Sequence, residues 1–192
     1  MKLLRTAAVA ALTVLVAAGC GGREPGKGPS KSGETPAPPP VEEGSLQLTS
    51  PVFEDGDPLP YQHTCDGNDR TPPLQIKGVP DDAEALALIV DDPDAPGGTF
   101  VHWVVWNLPP DTSNIRKNES PAAPTGVNDF GENSYGAPCP PEGDGPHTYR
   151  FKLYALDTEL DLEAGSTAQE LYDAMDGHVL DRAILKGTYA RK

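Results

Sequence analysis

The sequence predicts a mainly β protein, an antiparallel β-sandwich with one or two short helices near its C-terminus. An unbroken apolar run at residues 85–90 has the length of a buried central strand, and residues 149–156 alternate with the period of two that marks a strand with one face inward. Proline and glycine, 22 and 20 of the 192 residues, punctuate nearly everything between such runs. That spacing of short strands and breakers is how sandwiches and barrels are written.

Taken in chain order, residues 46–53 and 74–77 are weaker strand candidates, 85–90 and 100–108 are firm ones, and 149–156 follows after a long Pro- and Gly-rich stretch. One helix is expected next. Ser166 and Thr167 offer N-caps, Gln169 and Glu170 stand at capping-box spacing, and Leu171 and Met175 share a helical face. After the Asp176-Gly177 break, residues 178–186 read as a further turn or short helix, and 188–190 as a last weak strand.

The fold is expected to occupy residues 45–192, enough for one domain with a sizeable core. Residues 1–20 read as a signal peptide: Lys2 and Arg5 form a positive start, and residues 7–18 an uncharged Ala/Val/Leu stretch too short for a stable membrane span. It ends Ala17-Ala18-Gly19-Cys20, which resembles a lipobox, with Ala17 where a branched aliphatic is usual; Cys20 is the expected lipidation site. Residues 21–44 contain six Gly and six Pro and no large apolar side chain, so they read as a disordered tether. As a coil this tether would span roughly 25–30 Å. The expectation is an exported protein, lipid-anchored to the cell membrane or outer membrane, with its domain outside the cytoplasm.

Without Lys2 and Arg5 the formal charge moves from −14 to −16. A domain this acidic has no electrostatic means of holding nucleic acid, nor of being drawn to an anionic bilayer. Its membrane contact would come through the acyl chains.

Two stretches carry the candidate chemistry: Asp91-Asp92-Pro93-Asp94-Ala95-Pro96 followed by His102, and Tyr135-Gly136-Ala137-Pro138-Cys139-Pro140-Pro141 followed by His147-Thr148-Tyr149. Each sets rigid, Pro-rich backbone beside the start of a strand that carries a histidine. Strand parity places His147, Tyr149, Phe151 and Leu153 on one face, and His102 with Val104 and Trp106. Two inward histidines near Asp92 and Tyr149 suit a small pocket at the rim of a sandwich. Imidazole N–H groups and the Tyr149 hydroxyl could donate to phosphoryl oxygens while Asp92 orients an imidazole.

These residues resemble the signature of the phosphatidylethanolamine-binding (Raf kinase inhibitor-like) family, in its bacterial branch. The resemblance runs through Thr64-Cys65-Asp66-Gly67, Pro72-Pro73-Leu74, the Asp92 and His102 motifs, the tract from Tyr135 to Pro141, Gly145-Pro146-His147-Thr148-Tyr149, and Gly177-His178-Val179-Leu180. It implies that family's β-sandwich and a pocket for phosphate or a phospholipid head group. By motif, the pocket residues would be Asp92, Pro96, His102, Pro141, His147 and Tyr149. Thr148 stands where the family often has Arg, and Phe100 where some relatives have Trp.

Three functional classes follow: a binding module for an anionic small molecule or head group, an inhibitor or interaction protein of an envelope kinase or protease, and a two-His-one-carboxylate metal enzyme built on Asp92, His102 and His147. The chain lacks Gly-x-Ser-x-Gly, His-Glu-x-x-His and a nucleophile spaced beside a base, so the binding module is favoured, with no cofactor and no resident metal expected. Cys65 and Cys139, the two thiols after Cys20, could pair on the oxidising side of a membrane or stay free. His63 and His178 read as structural or exposed, Asp66-Gly67-Asn68-Asp69 as a plain turn, and the acidic residues at 81–84 and 157–163 as solvated surface.

Overall fold

The computed structural model describes residues 44–116 and 122–191. The expected signal peptide, Cys20 and all but the last residue of the tether lie outside them. The elements are β1 (Gln47–Thr49), a 3-10 turn (Tyr61–His63), β2 (Leu74–Lys77), β3 (Ala85–Asp92), β4 (Phe100–Leu108), β5 (Asn114–Ile115), β6 (His147–Leu156), α1 (Ala168–Met175) and β7 (Val179–Tyr189). They form two antiparallel sheets, β1-β2-β5 and β4-β3-β6-β7. The chain is the mainly β sandwich that its sequence predicts, with one α-helix among the described residues.

The four-stranded sheet is covered on both faces. Leu86, Leu88 and Val90 of β3, with Phe151 and Leu153 of β6, pack against Leu48, Leu74 and Ile76 of the small sheet. Ala87 and Ile89 point the opposite way, into a second cluster with Leu171, Tyr172 and Met175 of α1. Every residue of β3 is therefore buried, so its sequence is an unbroken apolar run instead of an alternation. In β2, which has only one covered face, buried and exposed residues alternate.

Helix α1 begins where its cap predicts. Thr167 Oγ1 accepts the Glu170 N–H, and the Glu170 carboxylate accepts the Thr167 N–H at 2.7 Å, satisfying two donors that the first turn would otherwise leave open. Ala168, Leu171, Tyr172 and Met175 form the stripe that it buries. Each such large side chain, taken fully out of water, contributes about 1.5–3 kcal/mol.

Residues 178–186 correct the sequence reading. Residues 179–186 belong to β7, which pairs with β6 from Leu156↔Val179 to His147↔Tyr189, and His178 lies in the turn before it. The strand hides its period for three reasons. A bulge between Ala155 and Leu156 shifts the register, so that Leu180 packs into the core beside Ala183 and Leu185. Asp181 is buried because its carboxylate accepts the Leu46 N–H at 2.9 Å. Gly187 lies opposite Tyr149 because a Cβ there would sit 2.4 Å from the Leu59 side chain.

A buried ionic cluster lies between the four-stranded sheet and α1. Asp91 receives both Nε and Nη2 of Arg150, at 2.7 and 2.9 Å, and Lys152 Nζ at 2.5 Å. Lys152 also donates to the Tyr172 hydroxyl. Asp91 and Lys152 are almost fully buried, whereas Arg150 reaches solvent. Burial pulls the Lys152 ammonium below its ordinary value, with Asp91 opposing.

Candidate functional site

Asp91 pairs with Arg150 across β3 and β6, so Asp92 falls on the opposite face, toward Tyr149. Pro93 follows, and the Asp94 N–H turns back to Asp92 Oδ1 at 2.8 Å, a turn that an aspartate before proline sets up locally. Asp92 Oδ2 accepts His147 Nδ1–H at 2.7 Å from across the sheet. Asp94 Oδ2 in turn accepts the Thr148 N–H at 2.8 Å, fixing the start of β6 to the end of β3.

His102 reaches the site by a route that simple parity misses. Its strand pairs Asp91↔Val101 but Val90↔Trp103, so one extra residue is inserted at His102. Val104 and Trp106 face the helix-side cluster. His102 instead sits edge-on to Tyr149, ring centroids 5.2 Å apart, at the end of the sheet-to-sheet core. The expectation that His102 shares a face with Val104 and Trp106 is corrected by that bulge.

The loop 134–141 supplies the other wall. His102 Nδ1–H donates to Gly136 O at 2.8 Å, and Gly136 N–H returns to His102 O at 2.9 Å. Asn128 closes the neighbouring turn through bonds to Ser134 O and to the Phe130 and Glu132 N–H groups. This places the Phe130 ring 5.5 Å from His102 and 4.8 Å from Phe100. A Cβ on Gly136 would sit 2.5 Å from that ring, so glycine is what lets Phe130 lie there. Cys65 and Cys139 are bonded, with Cα atoms 5.4 Å apart, and Asp69 accepts the Ala137 N–H at 2.9 Å. The disulfide and Asp69 tie this wall to the segment before β2.

The structure thus brings Asp92, His102, His147 and Tyr149 together. Pro96 and Pro141 are exposed in the loops that precede β4 and β6. His63 is buried and hydrogen-bonded to Arg70 O, and exposed His178 meets Asp157 at 2.8 Å. Phe130 and Asp144 also belong to the site. Nothing in the sequence distinguishes an aromatic in an Asp-Phe-Gly turn, but Asp144 could have been suspected from its position three residues before His147. A groove of about 530 Å³ along β2 and β5 contains none of these residues.

The two histidines differ electrostatically. For His147, burial works against the charged form, but the hydrogen bond and charge of Asp92, aided by Asp144 at 3.5 Å from Nε2, outweigh it and raise the pKa above its ordinary value. For His102 burial dominates and lowers it, with Gly136 O and Asp92 only partly compensating. The Tyr149 hydroxyl is buried beside Asp92, and burial, reinforced by the charge of Asp92 and a hydrogen bond to it, pushes its pKa well above the ordinary range.

The two-His-one-carboxylate metal site does not assemble. Asp92 Oδ2 is bonded to an imidazole, both Nδ1 atoms are engaged as donors, and among the described residues no group of three His, Cys, Asp or Glu is placed to hold an ion.

Residues 49–190 match the family model described as phosphatidylethanolamine-binding protein. The chain is 48% identical over 158 residues to a UPF0098 protein of Pyrococcus horikoshii, covering 79% of each. It is 44% identical over 149 residues to a UPF0098 protein of Chlamydia muridarum, covering 75% of this chain and 98% of that one. Among solved structures it resembles a phosphatidylethanolamine-binding protein homologue from Chlamydia trachomatis, with a TM-score of 0.74 and 42% identity over 78% of this chain and all of that one. E. coli YbcL, described as a new member of the mammalian family, gives a TM-score of 0.73 and 31% identity over the same shares. With the family model, the relatives and the fold in agreement, the chain belongs to the phosphatidylethanolamine-binding protein family.

Proposed function

We propose that this protein is a membrane-tethered, extracytoplasmic binding protein whose pocket takes a small anion, phosphate or a phospholipid head group. The observation that carries the reading is the Asp92–His147 pair. Asp92 orients the ring and, with Asp144 3.5 Å from Nε2, favours its protonation, so that an imidazolium stands beside the buried Tyr149 hydroxyl. A positive donor and a neutral donor, both nearly out of water, are what a compact oxyanion needs within an otherwise acidic domain. Family membership supports a binding role, and the lipobox-like ending at Cys20 with the Gly/Pro tether supports anchoring.

Calorimetric titration with inorganic phosphate tests the pocket. A hydrogen bond to a charged partner contributes about 1.5–3 kcal/mol, so His147→Ala should weaken binding by about tenfold or more. His178→Ala, at an exposed pair outside the cluster, should leave it unchanged. Equal affinity in His147→Ala and the parent would end this reading.

A further inference from the structure

We propose that Asp144 is an internal occupant of the site: its carboxylate stands on the outward nitrogen of His147 in the resting protein, and an external anion reaches that histidine only when the turn 142–145 carries Asp144 away. The proposal rests on the pocket reading above and concerns the regulation of that same site.

Both ring nitrogens of His147 meet carboxylates. Nδ1 donates to Asp92 Oδ2 at 2.7 Å, and Nε2 lies 3.5 Å from Asp144 Oδ2. The ring itself is nearly out of water. A ligand that is to touch a ring nitrogen therefore has to displace one of the two carboxylates. Asp92 is not the one to give way. Its side chain is as buried as the ring, and its other oxygen accepts the Asp94 N–H at 2.8 Å in the turn that ends β3. Asp144 is held less firmly. Its side chain is 47% exposed, and its 3.5 Å contact is longer than the roughly 2.7–2.9 Å of a well-formed charged hydrogen bond. Water can take over the solvent side of such a pair at little cost.

The backbone around Asp144 is free to swing. Gly143 and Gly145 flank it with φ of 81° and 93°, and nothing lies within 4 Å of where a Cβ would stand on either. The Asp144 N–H bonds to Pro141 O at 3.3 Å, a long backbone bond. The two ends of the turn are fixed. Arg191 Nη2 meets Glu142 at 3.1 Å while its Nε meets Asp66, and His147 opens β6. The movable part is residues 143–145.

Asp144 thus acts on the site with two opposite signs. With Asp92, its charge raises the pKa of His147 and favours the imidazolium. Its position on Nε2 makes it the rival of any external anion for that imidazolium. A group tethered this closely competes at an effective concentration on the order of millimolar or above. Weak or dilute anions are turned away, and a better-matched or abundant one displaces the carboxylate.

Calorimetric titration of the full-length protein with inorganic phosphate tests the gate. Near pH 6, below the ordinary imidazole value of about 6.5, His147 is largely charged. Asp144→Asn should tighten phosphate binding by about tenfold, although the same change should lower the His147 midpoint read by proton NMR. Were Asp144 only a group that keeps the histidine charged, that variant would bind more weakly. Glu142→Gln removes an equal charge two residues away, at a side chain paired with Arg191 instead of His147, and should change the affinity by less than about twofold. In the parent, saturating phosphate should shift the backbone amide signals of Asp144 and Gly145. Equal or weaker binding by Asp144→Asn, equal tightening in Glu142→Gln, or unmoved amide signals at 143–145 would overturn the gate and leave the pocket reading standing. Absence of phosphate binding in the parent and in Asp144→Asn alike would overturn both.

Discussion

His102 and Gly136 hold each other at two points: the Gly136 N–H donates to the backbone oxygen of His102, and the His102 ring donates to the carbonyl of Gly136. The backbone contact fixes where the loop lies, and the ring contact fixes which ring nitrogen carries the proton. A change that moves the loop therefore changes the chemistry of the histidine as well as its position.

The disulfide is the first place to test that dependence. Cys65–Cys139 closes a loop of 74 residues in sequence and anchors the segment that contains Gly136. On chain-entropy grounds its loss should cost roughly 4 kcal/mol. Cys65→Ser/Cys139→Ser should lower the thermal midpoint and broaden the His102 resonances, while the denatured, unreduced parent should show no thiol from this pair.

The two histidines should titrate on opposite sides of their ordinary value of about 6.5, His147 above and His102 below. Proton NMR across the acid and neutral range reads both. The linkage signs are also opposite. Stability contributed by His147 is full below about 6.5 and is lost as pH rises through its raised folded value. Stability associated with keeping His102 neutral is present above about 6.5 and is lost as pH falls toward its depressed folded value. Asp92→Asn should lower the His147 midpoint and weaken phosphate binding together. A midpoint unmoved by that change would show that Asp92 does not control the charge.

The ionic cluster under α1 should behave as a buried charge set. Asp91→Asn leaves Lys152 without its counter-ion, nearly out of water, and should cost about 3–5 kcal/mol in urea unfolding. Arg150→Met should cost clearly less, because its guanidinium already reaches solvent and Lys152 still neutralises Asp91.

The anchor is tested by fractionation. With a diacylated Cys20, Cys20→Ala should move the protein from membrane to soluble fractions with its phosphate affinity unchanged. An unaltered membrane fraction in Cys20→Ala would rule out the anchor at that cysteine.

Local chemistry made much of the site legible. The placing of Asp92 at the strand end could be read because Pro93 and the Asp94 N–H fix its turn within three residues, and the shared face of His147 and Tyr149 because β6 starts with a clean period of two. The cap at Thr167 and the unbroken run of β3 were equally local statements, one about orphan N–H groups and the other about a strand covered on both faces.

What the sequence by itself determined were the fold class, the helix, and which acidic, imidazole and phenol groups stand at strand ends. Tertiary structure alone decided what depends on register and on distant partners. The bulge opposite Val90 turned His102 to the Tyr149 side, and the carbonyl of Gly136, 34 residues away, chose its tautomer. The bulge at Ala155/Leu156 and buried Asp181 made a strand of residues that scan as a helix. Burial, acting against the charge of Asp92, set the two histidines apart. A one-residue slip reverses the face of a side chain, and a buried hydrogen bond is set by the atom that packing brings within reach; neither leaves a periodic trace in the chain.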